Sequence, residues 1–333
     1  MIKSGFDQLI GKRILVTGAS GFLGCALVRR LVSEGAVVSA LSRTMGRLSE
    51  SAGEGFEFLQ CDLSDAQETA RVMAAFEPEI LFHFAAHPDG RESFSHAQKC
   101  IQANTLMTLN ALEAFRLASG ELFVYGDSCK VYGNCDVPYL EATPAQPISA
   151  YAIAKTAGWQ LCDLYSRVYN LHALSIRPTM IYGPRQSFNL ISFVVDCVLD
   201  GKCEVVLDGG SQTRDPLYVD DAVAAYVSTA RLGPSLSRRI VNIGGGNEHS
   251  VLHLAALVLE LMGADLRVVE APGRTRPTET KRSYCDNQES RGMLGWQPRV
   301  SLREGLARTI QYLVQSRGRS MHMSSHATGA SAD

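Results

Sequence analysis

RILVTGASGFLG, residues 13–24, joins two kinds of periodicity. RILVTG is an apolar run of strand length. GFLGCALVRRLVSEG follows with Leu23, Leu27, Val28 and Leu31 on one helical stripe. Between them Gly18, Gly21 and Gly24 stand at G-x-x-G-x-x-G spacing. Glycines permit a tight turn and let backbone come close to a pyrophosphate, and the helix start supplies N–H donors and a positive dipole end. Glycine-rich turns are common, so the triplet gains meaning from its place at the first strand–helix junction.

Outward from this turn the alternation continues to about Ile176. AVVSAL, FEFLQC, EILFHFAA, ELFVYG and HALSIRP read as strands. DAQETARVMAAF, a long segment near Ala97–Ala118 and the segment around Tyr151 read as helices. Strands alternating with helices predict an α/β fold with a doubly wound parallel sheet. After Pro184 the pattern loosens. LISFVVDCVLDG, VDDAVAAYVSTARL, SVLHLAALVLELMG and SLREGLARTIQYLVQ read as helices, with CEVVLDGG as a strand and turn. The expectation is a larger unit over 1–183, a smaller mixed lobe over 184–317, and a disordered tail over 318–333, which is Ser/Ala/His-rich without apolar period.

The 333 residues are 46% hydrophobic and 20% charged, with a net charge of -2. That balance predicts no nucleic-acid surface and no polybasic membrane anchor. No apolar run is long enough to span a bilayer, and Met1–Ile10 lacks an apolar signal core. Nine cysteines are scattered. Cys129/Cys135 and Cys197/Cys203 are six apart, too wide for a paired zinc knuckle, so no metal is expected. Reduced, mostly buried thiols in a cytoplasmic protein are the expectation.

Binders of NAD usually carry an acid at the end of the second strand, to hold the ribose 2′-OH. Here Ser42 takes that place, Arg43 follows, and Arg47 is near. A hydroxyl and a cation suit a 2′-phosphate, which tips the choice toward NADP and leaves NAD open. Asp62 could accept from an adenine amino group, or could cap a helix with Leu63 packed below.

SAYAIAKTAGW, residues 149–159, sets Tyr151 and Lys155 one helical turn apart. A free Tyr titrates near 10. A neighbouring ammonium favours the phenolate, so Lys155 should lower the Tyr151 pKa and suit it to general acid–base work. Alone, such a pair is more often decoration on a helix.

It is not alone. The glycine loop, HFAA (83–86), Asn104 in ANTLMTLN, SCKVYG (128–133), YAIAK (151–155) and RPTMIYGP (177–184) occur in this order. RDPLYVDDAV, VNIGGGNEHSV and ESRGMLGWQPRVSLREGLARTI continue the series. Together they resemble the extended short-chain dehydrogenase/reductases, specifically the NAD(P)-dependent nucleotide-sugar epimerase/dehydratase family, over about Lys12–Val314. The resemblance implies a Rossmann-type sheet with a C-terminal substrate lobe, between which family chains can cross. It implies Tyr151 as acid/base, Lys155 as its partner, and Ser128 as a hydroxyl on the reacting sugar oxygen. It implies a cofactor set of Gly18, Ser20, Gly21, Phe22, Leu23, Gly24, Ala85, Ala86, Asn104, Tyr151 and Lys155, which the reading of the strand ends extends with Ser42, Arg43, Asp62, Leu63 and Pro178. Arg214 and Arg276 match positions that often meet the sugar diphosphate. A nucleotide-sugar partner and a homodimer paired through the two long helices are also implied, with Leu106, Leu109, Leu112, Trp159, Leu161 and Leu164 able to form such a face.

Four positions depart from the family pattern. Met180 replaces an Asn that helps hold the sugar diphosphate. Cys129 replaces the Asp that sugar 4,6-dehydratases carry after the hydroxyl residue, which disfavours dehydration. Asp127 stands where Ser is common, and the second-strand acid is missing. His83 and His87 read as wall residues, and Trp159 and Trp296 as packing. The reading is an epimerase that oxidises a sugar hydroxyl, with C4 the expected carbon, and returns the hydride. An NADPH-dependent 4-keto-sugar reductase is the alternative, then a dehydratase, then a non-catalytic dinucleotide sensor or scaffold.

Overall fold

The computed structural model describes residues 9–327 apart from 52, 54, 88–92, 187 and 272–275. The loop at Asp89–Ser95 lies mostly outside the described residues.

The chain runs β1 (Arg13–Thr17), α1 (Phe22–Ser33), β2 (Val37–Ser42), β3 (Phe56–Gln60), α2 (Ala66–Phe76), β4 (Ile80–His83), α3 (Phe94–Ile101), α4 (Met107–Leu117), β5 (Leu122–Gly126), α5 (Ala150–Tyr169) and β6 (Ala173–Pro178). It continues with β7 (Met180–Tyr182), α6 (Leu190–Leu199), β8 (Glu204–Leu207), β9 (Thr213–Arg214), β10 (Pro216–Tyr218), α7 (Val219–Leu232), β11 (Ile240–Ile243), β12 (His249–Ser250), α8 (Val251–Met262), β13 (Arg267–Glu270), α9 (Gln288–Leu294) and α10 (Leu302–Ala327).

Seven strands form the central sheet in the order β3-β2-β1-β4-β5-β6-β11. Every pairing in it is parallel. The order reverses between β1 and β4, and the crevice at their carboxyl ends is where such sheets bind ligands. Period-two alternation sorts the strand residues between two layers. Ile14, Val16, Phe82 and Val124 join the core beneath α1 and α7, while Leu15, Leu81, Phe123 and Tyr125 join the core beneath α2, α4 and α5. Burial on both faces is why these strands read as continuous apolar runs.

The first layer takes material from the far half of the chain. β11 pairs with β6, and α7 packs on α1. The remaining elements pair as β7 with β10, β9 with β12, and β8 with β13, beside α6, α8 and α10. Ile191, Val194, Val258, Leu306 and Ile310 join the same apolar cluster as Ile14 and Val16, so one core spans both parts.

The segment expected as one helix near Ala97–Ala118 is a continuous helical run with a π turn at Gln102–Leu106 between α3 and α4. α10 runs to Ala327, ten residues into the stretch expected to be disordered. Extending a formed helix needs no new nucleus, which is the physical reason it can outrun its apolar pattern. Residues 328–333 lie outside the described residues. All nine cysteines are free. Among the described residues no helix is long and apolar enough to cross a membrane, and no group of three or more His, Cys, Asp or Glu could hold a metal ion.

Candidate active site

A cleft of about 920 Å³ opens at the switch point of the sheet. Its floor is the glycine turn. Gly18 has φ +65°, and a Cβ there would sit 2.6 Å from the Ala85 amide nitrogen. A Cβ on Gly24 would sit 2.4 Å from the Gly18 carbonyl oxygen. Side chains are therefore excluded at these two positions of the turn. Gly21 is the N-cap of α1 and offers no side-chain cap, so the first amides of the helix remain available to an anion. Gly18, Ser20, Gly21, Phe22, Leu23 and Gly24 all line the cleft, as do Ala85, Ala86 and Pro178. This floor fits a dinucleotide pyrophosphate.

Ser42, Arg43, Asp62 and Leu63 line one end of the cleft. The Ser42 hydroxyl donates to the Thr44 carbonyl at 2.7 Å, and Arg43 is exposed at the rim. Asp62 does not cap a helix. Its carboxylate accepts from the amide and hydroxyl of Ser64, at 3.0 and 2.9 Å, and Asp65 caps α2 instead. Those bonds and the Arg43 charge hold the Asp62 carboxyl below its ordinary value. Arg47 donates to the Arg185 carbonyl at 2.9 Å and does not line the cleft.

At the other end stand Ser128, Tyr151 and Lys155. Ser149 caps α5 by accepting from the Ala152 amide, which fixes where the helix starts and so the direction of Tyr151. Ser128 heads a short 3₁₀ turn. Its oxygen accepts from the Lys130 amide at 3.2 Å, and its hydroxyl bonds to Tyr151. Lys155 is buried and donates to the Gly126 carbonyl at 2.6 Å. Its Nζ is 6.0 Å from the Tyr151 ring centroid. Burial pulls Lys155 down to about 8, with Asp127 acting against it.

Tyr151 differs from its sequence expectation. Burial and then Asp127 push the phenol above its ordinary value, and the bond from Ser128 opposes them. The lysine does not win this balance: its ammonium donates to the Gly126 carbonyl, and the Asp127 carboxylate acts on the phenol in the opposite sense.

That carboxylate is the unusual feature of the site. Asp127 accepts from Arg177 Nε at 2.7 Å, from the Ser175 hydroxyl at 2.9 Å and from the Ser128 amide at 2.8 Å. Arg177 also donates to the Tyr132 hydroxyl at 3.0 Å, which donates on to Asn242 Oδ1 at 2.9 Å. Both charges are sealed from solvent, with side-chain exposures of 0% for Asp127 and 3% for Arg177. The charge that Asp127 brings is thus offset directly beneath Ser128. Cys129 is buried and donates to the Arg177 carbonyl at 3.1 Å, so its thiol points away from the cleft.

Asn104 does not line the cleft. It is buried within the π turn, where Oδ1 accepts from the His87 amide at 2.6 Å and Nδ2 donates to the His87 carbonyl at 3.2 Å. Its work is to clamp the loop after β4, and the cofactor contact assigned by resemblance is replaced by that positioning role. Arg214 and Arg276 also stand outside the lining of this cleft. Arg214 donates to the Thr280 carbonyl at 3.0 Å and pairs with Glu279, which also meets Arg276 at 3.8 Å. Burial, then Arg214 and Arg276, lower the pKa of Lys130. Lys130 Nζ is 5.8 Å from the Tyr151 ring, so a cationic group adjoins the reactive end of the cleft. Met180 opens β7 opposite Pro216.

His83 is a structural wall residue. Nδ1 is 2.9 Å from Thr17 Oγ1 and Nε2 is 3.1 Å from Thr108 Oγ1, which pins β1 and β4 to α4. Burial, and secondarily Lys155, hold it down to about 3. The folded state keeps this ring neutral while the unfolded chain protonates it below about 6.5. Between those values the unfolded chain binds more protons, so stability falls as pH falls, by up to about 1.4 kcal/mol per pH unit. Urea unfolding at pH 7, 6 and 5 should show a shallower loss for His83→Gln than for the wild type. Equal slopes would remove His83 from that dependence.

Sequence reading missed Tyr226, Phe84, Ile181 and Gln186, and the α3–α4 residues Gln102, Ala103 and Met107, all of which line the cleft. Most are apolar or occur in helical patterns, and nothing in their letters separates cleft wall from core.

Comparison with known proteins gives consistent matches. The model of the NAD dependent epimerase/dehydratase family matches residues 14–244. A UDP-glucose 4-epimerase from Mycolicibacterium smegmatis is 35% identical over 311 residues, covering 90% of this chain and 98% of its own. The structure of a Thermotoga maritima UDP-glucose 4-epimerase with UDP-glucose superposes with TM-score 0.84 at 28% identity, covering 92% of this chain and 99% of that one. A Thermus thermophilus UDP-glucose 4-epimerase in complex with NAD superposes at 0.81, also at 28% identity, covering 91% and 99%.

Proposed function

Since this chain belongs to the NAD-dependent epimerase/dehydratase family, we propose that it inverts C4 of a UDP-hexose with an NAD(P) that it regenerates in every cycle. The observation that carries this reading is the cleft itself, which has a phosphate-fitting glycine floor at its middle and Ser128, Tyr151 and Lys155 together at one end.

Tyr151 Oη takes the proton of the C4 hydroxyl, and the Ser128 hydroxyl holds the same oxygen as it becomes a carbonyl. Lys155 fixes the Tyr151 helix against the Gly126 carbonyl and keeps a positive charge beside the phenol below pH of about 8. A dinucleotide held on the Gly18–Gly24 floor would supply reversible hydride acceptance at C4 and, while oxidised, a positive charge that favours the phenolate. Tyr151 then gives its proton back to the same C4 oxygen as the carbonyl is reduced, so no net redox change occurs. Lys130, Arg214 and Arg276 are the cations placed to receive the sugar diphosphate, with Glu279 holding the two arginines until it arrives. Cys129 faces the Arg177 carbonyl and supplies no acid for loss of water, which argues against a dehydratase.

A second reading is an NADPH-dependent 4-keto-sugar reductase. Exposed Arg43 and the absence of an acid at the end of β2 favour a 2′-phosphate there. The two separate in one assay. Many turnovers of UDP-glucose to its C4 epimer, with the dinucleotide far below the sugar in amount, support the epimerase. Conversion that stops when NADPH is exhausted supports the reductase.

The chain also carries the apolar face expected for pairing. Leu106, Leu109 and Leu164 are exposed, as are Ile153 and Val168 on α5. Leu112 is fully buried, and Trp159 and Leu161 pack on the core, so these three serve the single chain. The exposed set supports a homodimer through α3–α4 and α5.

A further inference from the structure

α7 carries a hydroxyl with nothing to bond. Tyr226 is fully buried, yet its hydroxyl has no hydrogen-bond partner among the described residues. A buried hydroxyl left unsatisfied costs about 1–3 kcal/mol, so phenylalanine would serve the empty fold better. Such exceptions are few in native proteins and call for a reason.

The ring has little freedom. It stands edge-on to Phe84, with centroids 4.7 Å apart and planes at 76°, and edge-on to Phe82 at 6.2 Å. This fixes the direction of the hydroxyl. The residue lines the cleft from the α1/α7 layer, whereas Tyr151 and Lys155 enter on α5 from the other layer. Asp127, Tyr151 and Cys129 are the groups that act on its hydroxyl electrostatically. Tyr226 therefore stands at the reactive end of the cleft and not at the end formed by Ser42 and Asp62. Phe84, its ring partner, has backbone against Gly18, so the pair borders the path of the dinucleotide.

We propose that the Tyr226 hydroxyl is a positioning group for the nicotinamide carboxamide of the bound dinucleotide. A carboxamide offers a carbonyl for the phenol proton and an amide N–H for the phenol oxygen, so one bond of either sense satisfies Tyr226. The reacting sugar oxygen belongs to the opposite wall, against Ser128 and Tyr151. The inference rests on the reading of the cleft as a dinucleotide site.

Titration calorimetry with NAD and with ADP-ribose, which lacks the nicotinamide, tests it on the wild type and on Tyr226→Phe. Without ligand, the variant should melt no lower than the wild type. Its affinity for NAD should fall roughly 3- to 10-fold, the size of one net hydrogen bond, while ADP-ribose binds both proteins equally. Unchanged NAD affinity overturns the proposal. So does an equal loss for ADP-ribose, or a variant that melts well below the wild type, since either would mean a purely structural tyrosine. If the wild type binds none of NAD, NADP and ADP-ribose, the dinucleotide reading fails and takes this inference with it.

Discussion

Tyr151→Phe is expected to lower kcat by roughly 10³-fold, within the range for loss of a general acid–base group. The variant keeps the ring and loses one oxygen. The Ser128 hydroxyl loses a partner, but it keeps its bond from the Lys130 amide, so the 3₁₀ turn should stand. The glycine turn is a separate part of the cleft and is untouched. Binding of NAD and of UDP-glucose should therefore stay within a few-fold of the wild type, and the loss should fall on kcat rather than on KM. A variant that keeps even a tenth of the wild-type kcat would require another base. Lys130 would be the first to examine, because it adjoins the same ring and its pKa is already lowered.

The second large effect is on stability. Asp127→Ala leaves Arg177 buried without its carboxylate, and removing one partner of a buried pair costs about 3–5 kcal/mol. Ser175 and the Ser128 amide lose an acceptor in the same step. The double variant Asp127→Ala, Arg177→Met removes both charges, and replacing a buried pair by apolar groups is often close to neutral. Urea unfolding should thus show the double variant more stable than Asp127→Ala alone. If the single variant unfolds at the wild-type midpoint, the pair is not a structural element of the site. The Ser128 amide gives a second readout, because a loosened Ser128 should lower kcat even where the protein remains folded.

How far the letters reach depends on the range of the interaction. The glycine turn, the strand alternation and the Tyr151/Lys155 spacing are local, and all three are visible in short windows. Gly18 and Gly24 are readable because their requirement is steric and sits within one turn. Asp127 and Arg177 lie 50 residues apart and meet only because β5 and β6 pair, so the charge beside Ser128 looks uncompensated in sequence. Asn104 has the right letter and place for a cofactor contact, but the π turn directs its amide to His87. The seventh strand, β11, comes from beyond residue 184 and completes the sheet on β6, a contact that no local pattern encodes. Tyr226 looks like any aromatic on a buried helical stripe. Only three dimensions show that its hydroxyl has no partner among the described residues and that the residue borders the cleft. Lys155 illustrates a different gap. Its presence is legible, but its hold on the Gly126 carbonyl is not.

The most direct test of the central claim follows the hydrogen at C4. UDP-glucose labelled with deuterium at C4 is incubated with the protein and a trace of dinucleotide in ordinary water, and the products are read by NMR and mass spectrometry. Hydride removal and return within one site predicts a C4 epimer that keeps its deuterium, formed in large excess over the dinucleotide. Epimer that has exchanged its deuterium for solvent hydrogen, or product that appears only as NADPH is consumed, would contradict it.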